Sequence, residues 1–137
     1  MSLSMSTAPD EAESAAREWL LALQDCVRRV DFGAGRRLFA EEVVAFGSRA
    51  GTLLHGLDEL ETQQWSGVWP NIRDFTFALD QLDCRAENDV ALVVVPWTST
   101  GYRADGTSFD RPGRATVVVA HRGDDWLAVH THFSLTP

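Results

Sequence analysis

The second half of this 137-residue chain consists of stretches typical of β-strands. Four segments rich in Val, Thr and aromatic residues cover residues 72–86, 90–101, 109–121 and 126–135. The short breaks between them contain Asn, Asp or Gly, which favour tight turns. Strands joined by such turns pair as antiparallel neighbours, so the pattern predicts an antiparallel meander.

The first half has the periodicity of amphipathic helices. Apolar residues recur at helical spacing as far as residue 30, after a capping-box pattern formed by Thr7 and Asp10. Asp31 is placed to cap a second helix over residues 32–40. Helices followed by long hairpins are typical of an α+β fold.

The remaining segments complete a single predicted domain over residues 1–137. A short hairpin is expected over residues 43–55, followed by a third helix that Asp58 caps and Pro70 ends. Residues 1–6 are expected to lie outside the folded part, because Met5 is a second possible start.

The charged residues and cysteines restrict the class of function. The chain has 12 Arg, no Lys and a net charge of -8, which excludes lysine Schiff-base chemistry and argues against nucleic-acid binding. No apolar run is long enough to span a bilayer. Cys26 and Cys84 show no disulfide or metal-ligand pattern. We therefore expect a cytoplasmic protein with two reduced thiols and no membrane partner.

The last two strands can be aligned from their turn. A four-residue turn at residues 122–125 places His121 opposite Trp126, so the position numbers of each pair sum to 247 and Val119 pairs with Ala128 and Val117 with His130. Both faces of this hairpin are largely apolar. One face is expected to pack on the helices and the other on a second copy, which predicts a homodimer.

Several short motifs occur in an order that is found in a known superfamily. They are Val30-Asp31-Phe32, Val44-Ala45-Phe46, Gly56-Leu57-Asp58, Trp69 and the terminal WLAVHTHFS of residues 126–134. On these motifs the chain resembles the SnoaL-like and ketosteroid-isomerase-like proteins of the nuclear transport factor 2-like superfamily, and the association domain of calcium/calmodulin-dependent kinase II. The resemblance implies an α+β roll of the cystatin-like kind: a cone-shaped antiparallel sheet, mixed at its edge, wrapped over about three N-terminal helices and a pocket.

The resemblance also implies which residues line that pocket. In the relatives the terminal histidines face the pocket, so His130 and His132 are expected there. The candidate ligand-binding residues are the apolar and aromatic ones implied beside them: Trp19, Trp65, Trp69, Trp97, Val117 and Val119. Trp97 belongs to this group if the middle hairpin has no bulge near Pro96, and Trp19 is also explained as a core residue.

Two positions depart from the relatives. The catalytic Asp of ketosteroid isomerases corresponds to Phe46 or Gly47 here, and neither can accept a proton. A pocket Arg of the kinase association domain corresponds to Val117. Steroid isomerase chemistry of the usual Asp-base type is therefore not expected, and the pocket should be less cationic.

His130 and His132 are the candidate catalytic residues. Two positions apart on a strand, their Cα atoms are separated by about 7 Å, which suits an acid/base pair, two metal ligands or two hydrogen-bonded pocket histidines. No third metal ligand is indicated, so we expect neither metal nor cofactor. The function expected is binding of a small organic molecule, with isomerisation, dehydration or cyclisation if the protein is an enzyme. The alternative is a non-catalytic oligomerisation or accessory module.

Overall fold

The computed structural model describes residues 9–137, which form helices followed by a curved sheet. The helical elements are α1 (Pro9–Arg29), α2 (Phe32–Arg36), α3 (Leu57–Leu60), a π-helical turn (Glu61–Trp65), α4 (Ser66–Val68) and 3₁₀ turns at Trp69–Asn71 and Leu79–Gln81. The strands are β1 (Phe39–Phe46), β2 (Leu54–His55), β3 (Arg73–Phe77), β4 (Asp83–Glu87), β5 (Val90–Tyr102), β6 (Ser108–Arg122) and β7 (Asp125–Leu135). The capping pattern of Thr7 and the expectation for residues 1–6 lie outside the described residues. No described helix is long and apolar enough to cross a membrane.

The seven strands form one sheet in the order β2-β1-β7-β6-β5-β3, with β4 also paired to β5. All pairs are antiparallel except β1 with β7, which run parallel. The predicted α+β class and the mixed edge of the sheet are therefore confirmed. The long β5–β6 pairing runs without interruption from Val90 to Tyr102, so Trp97 lies on the buried face as expected.

Helix α1 lies across the concave face and is attached to the sheet by side-chain hydrogen bonds. Trp19 donates from Nε1 to the carbonyl oxygen of Leu38 at 2.8 Å. Arg28 donates from Nε to the carbonyl oxygen of Phe75 at 2.8 Å, and the amide of Phe77 donates to Gln24 Oε1 at 2.9 Å. The helix therefore binds backbone groups of β3 that face away from β5.

The predicted register of the last hairpin is correct near its turn and wrong beyond it. Val119 pairs with Ala128 as expected, but Val118 then pairs with His130 instead of Val129. Val129 is thus an extra residue in β7, a β-bulge. Because side chains alternate between faces, the bulge turns His130 and the residues after it to the opposite side from the one predicted.

Three boundaries differ from the sequence prediction. Asp31 caps α2 by accepting from the amide of Ala34 at 3.0 Å, but α2 ends at Arg36 because residues 39–46 pair with β7. Helix α3 begins at Leu57, after Gly56 with a φ of 86°, so Asp58 lies in its first turn instead of capping it. The segment predicted as one strand over residues 72–86 is divided by a 3₁₀ turn into β3 and β4.

Gly113 allows the Trp97 side chain to lie flat across β6. A Cβ atom at this position would overlap the Trp97 indole and approach the carbonyl oxygen of Ser134 to 2.6 Å.

We expect Gly113→Ala to lower the free energy of unfolding by about 2 kcal/mol through overpacking, measured by urea denaturation. Gly51→Ala is the matched control, since nothing lies within 4 Å of its added Cβ. Equal stability of the two variants would contradict this packing.

Candidate functional site

A cavity of about 50 Å³ lies between the concave face of the sheet and the helices. Most of its lining is apolar, from α1, the segment around the π turn, and strands β1, β3, β5 and β7: Leu23, Val27, Phe39, Phe46, Leu60, Trp65, Val68, Trp69, Ile72, Phe75, Trp97 and Phe133. The polar lining residues are Ser48, Gln64, Arg111 and Thr131. The cavity is thus a hydrophobic space with a small number of polar groups, the usual composition of a small-molecule site.

Two groups of aromatic side chains form its opposite walls. On the helical side, Trp65 and Trp69 stack with centroids 4.5 Å apart and an interplanar angle of 21°. On the sheet side, Phe75 and Phe133 lie 5.4 and 6.2 Å from Trp97, centroid to centroid. All five side chains line the cavity. Flat rings on both walls favour a ligand with an apolar body.

The π-helical turn brings two consecutive side chains, Gln64 and Trp65, into the buried region. Gln64 Oε1 accepts hydrogen bonds from the amides of Arg49 and Ala50, both at 2.9 Å. Its Nε2 donates to Ser48 Oγ at 3.1 Å. Gln64 therefore fixes the loop after β1, which forms part of the cavity wall.

The volume of the cavity is small for a ligand site. A cavity of about 50 Å³ is far below the several hundred Å³ of a pocket for a drug-sized molecule. Val68 and Ile72 line it and are only partly buried, and Phe46 is exposed. A ligand larger than a few heavy atoms therefore requires side chains at this side of the cavity to move.

Arg111 is a lining residue that the sequence analysis did not single out. Its Nη1 donates to Ser99 Oγ at 2.7 Å, and its Cζ lies 5.6 Å from the centroid of the Trp97 ring. Burial lowers the pKa of the guanidinium from its ordinary value. The alternation of β6 from Val117 through Ala115 and Gly113 reaches Arg111, so this signal was present in the sequence.

The two candidate catalytic histidines lie on the outer face of the sheet and do not line this cavity. His130 donates from Nδ1 to the carbonyl oxygen of Val44 at 2.8 Å. The exposed His132 ring lies 5.2 Å from the ring of Phe46, centroid to centroid. The prediction that they point into the cavity is wrong, because the bulge at Val129 places Thr131 and Phe133 there instead.

The other candidates divide between the cavity and the core. Trp65, Trp69 and Trp97 line the cavity, whereas Trp19, Val117 and Val119 are buried in the core and are not among its lining residues. Phe46 and Gly47, the positions that correspond to the isomerase Asp, do line it.

Neither thiol belongs to the cavity lining. Cys26 and Cys84 are free, and burial is the main cause that raises the pKa of each. Among residues 9–137, no group of three or more His, Cys, Asp or Glu side chains could hold a metal ion.

Comparison with known proteins identifies both a family and a fold. The sequence profile of the SnoaL-like domain matches residues 16–137. A nuclear transport factor 2-like protein from Salmonella enterica serovar Typhimurium is 20% identical, with a TM-score of 0.80 over 95% of this chain and 94% of its own. A nuclear transport factor 2-like protein of unknown function from Pseudomonas putida is 26% identical, with a TM-score of 0.74 over 91% and 87%. The association domain of calcium/calmodulin-dependent kinase II from Caenorhabditis elegans is 18% identical, with a TM-score of 0.69 over 91% and 98%. No curated protein matches the chain.

Replacement of Gln64 tests how the cavity wall is held. Gln64→Leu removes the acceptor for two amides, and we expect it to lower the free energy of unfolding by about 2 kcal/mol. Faster hydrogen exchange at Arg49 and Ala50 should accompany this loss. Gln64→Glu keeps the acceptor oxygen and should retain most of the protection, while Gln63→Leu alters an exposed neighbour and should change neither measurement. Unchanged exchange in Gln64→Leu would rule out this role.

Proposed function

Because the chain belongs to the SnoaL-like domain family, we propose that its aromatic cavity binds a small organic molecule. The observation that carries the proposal is the placement of Trp65, Trp69 and Trp97 around one cavity between the helices and the sheet. Each ring presents a large apolar surface, and a ligand between them would remove that surface from water. The small volume favours a compact ligand of one ring or less.

The polar groups of the cavity favour binding over proton transfer. Its ionisable side chain is the guanidinium of Arg111, which stays charged in proteins and serves as a hydrogen-bond donor. The side chain of Gln64 is hydrogen-bonded to Ser48 and to the backbone amide of Arg49 in the loop after β1. The acid/base chemistry expected of His130 and His132 is therefore not part of this proposal.

We propose self-association through the outer face of the sheet as a second function. This face presents apolar side chains, and Val90, Leu92 and Val94 of β5 are large and exposed. Val118, His130 and His132 lie among them on the neighbouring strands. Large exposed apolar side chains grouped on one face of a sheet are typical of an interaction surface. A second copy of the chain fits it because each copy presents the same face, which a two-fold axis pairs with itself.

A thermal-shift screen tests ligand binding. Compact aromatic and aliphatic compounds should include some that raise the melting temperature, since a ligand at 100 times its Kd contributes about 2.7 kcal/mol. Val68→Phe, which adds volume at the cavity, should weaken the shift. His132→Ala, on the outer face, should leave the shift unchanged. Loss of the shift in His132→Ala alone would mean that the ligand binds at the histidines and not in the cavity. The absence of any stabilising compound would refute the proposal.

Light scattering tests self-association. At micromolar concentration we expect twice the 15.2 kDa mass of the chain. Leu92→Glu places a charge on the outer face and should give the monomer mass, whereas Leu21→Glu makes the same change at an exposed position of α1 and should leave the dimer intact. A monomeric wild-type chain, or a dimer that Leu92→Glu does not affect, would contradict this interface.

A further inference from the structure

We infer that the ligand of the cavity carries a carboxylate, which Arg111 binds with help from the indole N–H of Trp97. The inference rests on the proposed function, because it assigns a chemical class to the occupant of the same cavity. Two independent observations on residues 9–137 point to it: a cation without a counter-ion and a buried donor without an acceptor among these residues.

The first observation concerns the charge of Arg111. Within residues 9–137, no carboxylate forms an ion pair with this guanidinium, and its hydrogen bond goes to the neutral hydroxyl of Ser99. Other arginines of the chain, such as Arg36 and Arg122, are paired with acidic side chains. Burying a cation, even partly, costs free energy unless a negative charge is paired with it. An anion bound in the cavity would supply that negative charge.

The second observation concerns Trp97. Its side chain is 2% exposed, and its Nε1 is a buried polar atom without a hydrogen-bond partner among the described residues. An unsatisfied buried N–H is rare, and in a native protein it commonly reflects a missing acceptor. Trp97 and Arg111 line the same cavity, with the guanidinium lying over the indole. The two donors therefore belong to adjacent residues that line the same cavity.

The geometry of the donors favours a carboxylate over other anions. Nη1 of Arg111 donates a hydrogen bond to Ser99 Oγ, which leaves Nε and Nη2 without hydrogen-bond partners among residues 9–137. These two atoms lie on one edge of the planar guanidinium and match the two oxygens of a carboxylate. A phosphate dianion would be opposed by the net charge of -8 and would find one cation in the lining. A carboxylate head on a compact apolar body fits both the charge and the volume.

Matched pairs of acids and amides test the inference. Propionate and benzoate would be compared with propionamide and benzamide at equal ionic strength, by calorimetry and thermal shift. In the wild type we expect each acid to bind at least tenfold more tightly than its amide. Arg111→Gln should remove this difference and leave amide binding within about twofold, because the apolar contacts remain. Arg114→Gln is the matched control, since Arg114 lies on the same strand but on the outer face, and it should behave as the wild type.

The indole resonance of Trp97 gives a second readout. Its N–H signal, assigned by its disappearance in Trp97→Phe, should move downfield with benzoate and much less with benzamide. A folded spectrum of each variant shows whether the structure is retained. Amides that bind as tightly as acids, or acid binding that persists in Arg111→Gln, would overturn the carboxylate and leave the binding function intact. If neither the acids nor the amides nor any neutral apolar compound binds, both proposals fail.

Discussion

The extra residue at Val129 determines what each face of the sheet presents. Without it, the alternation of β7 would direct His130 and His132 toward the helices and Thr131 and Phe133 outward. With it, Phe133 packs near Trp97 on the concave side, and the imidazoles join the outer surface. The chemistry of the cavity and the character of the outer face therefore both follow from one irregular pairing. Ring packing stabilises this arrangement, because Phe133 also lies near Phe75 and Phe77.

The cavity shows how a largely apolar interior accommodates polar groups. Gln64 is buried, and both its amide oxygen and its amide nitrogen make hydrogen bonds to the loop after β1, so it holds this loop in place. Arg111 and the indole nitrogen of Trp97 are different, because their donor capacity exceeds what the described protein groups accept. Polar groups that are hydrogen-bonded within the protein shape a site. Polar groups with unused donors can select the ligand that binds there.

The order of elements and the position of Trp97 could be predicted from the sequence, because both depend on local signals. Turn residues marked the hairpins, and the β5–β6 pairing continues regularly through Pro96 to Trp97. The placement of His130 could not be predicted, since Val129 resembles any other strand residue and the bulge is a property of the tertiary pairing. The position of Arg111 could also be predicted, because Arg111 shares the alternation of Val117 along β6.

The attachment of α1 to β3 affects how the sheet can grow. Gln24 and Arg28 bind the backbone of Phe77 and Phe75, so these edge groups are already hydrogen-bonded within the chain and compete less well for a strand from another molecule. The opposite border, β2, is two residues long, and β4 carries the exposed charges of Asp83 and Arg85. Edge strands that are short, charged or already hydrogen-bonded oppose the addition of a strand from another molecule. Open-ended growth of the sheet through these edges is therefore suppressed.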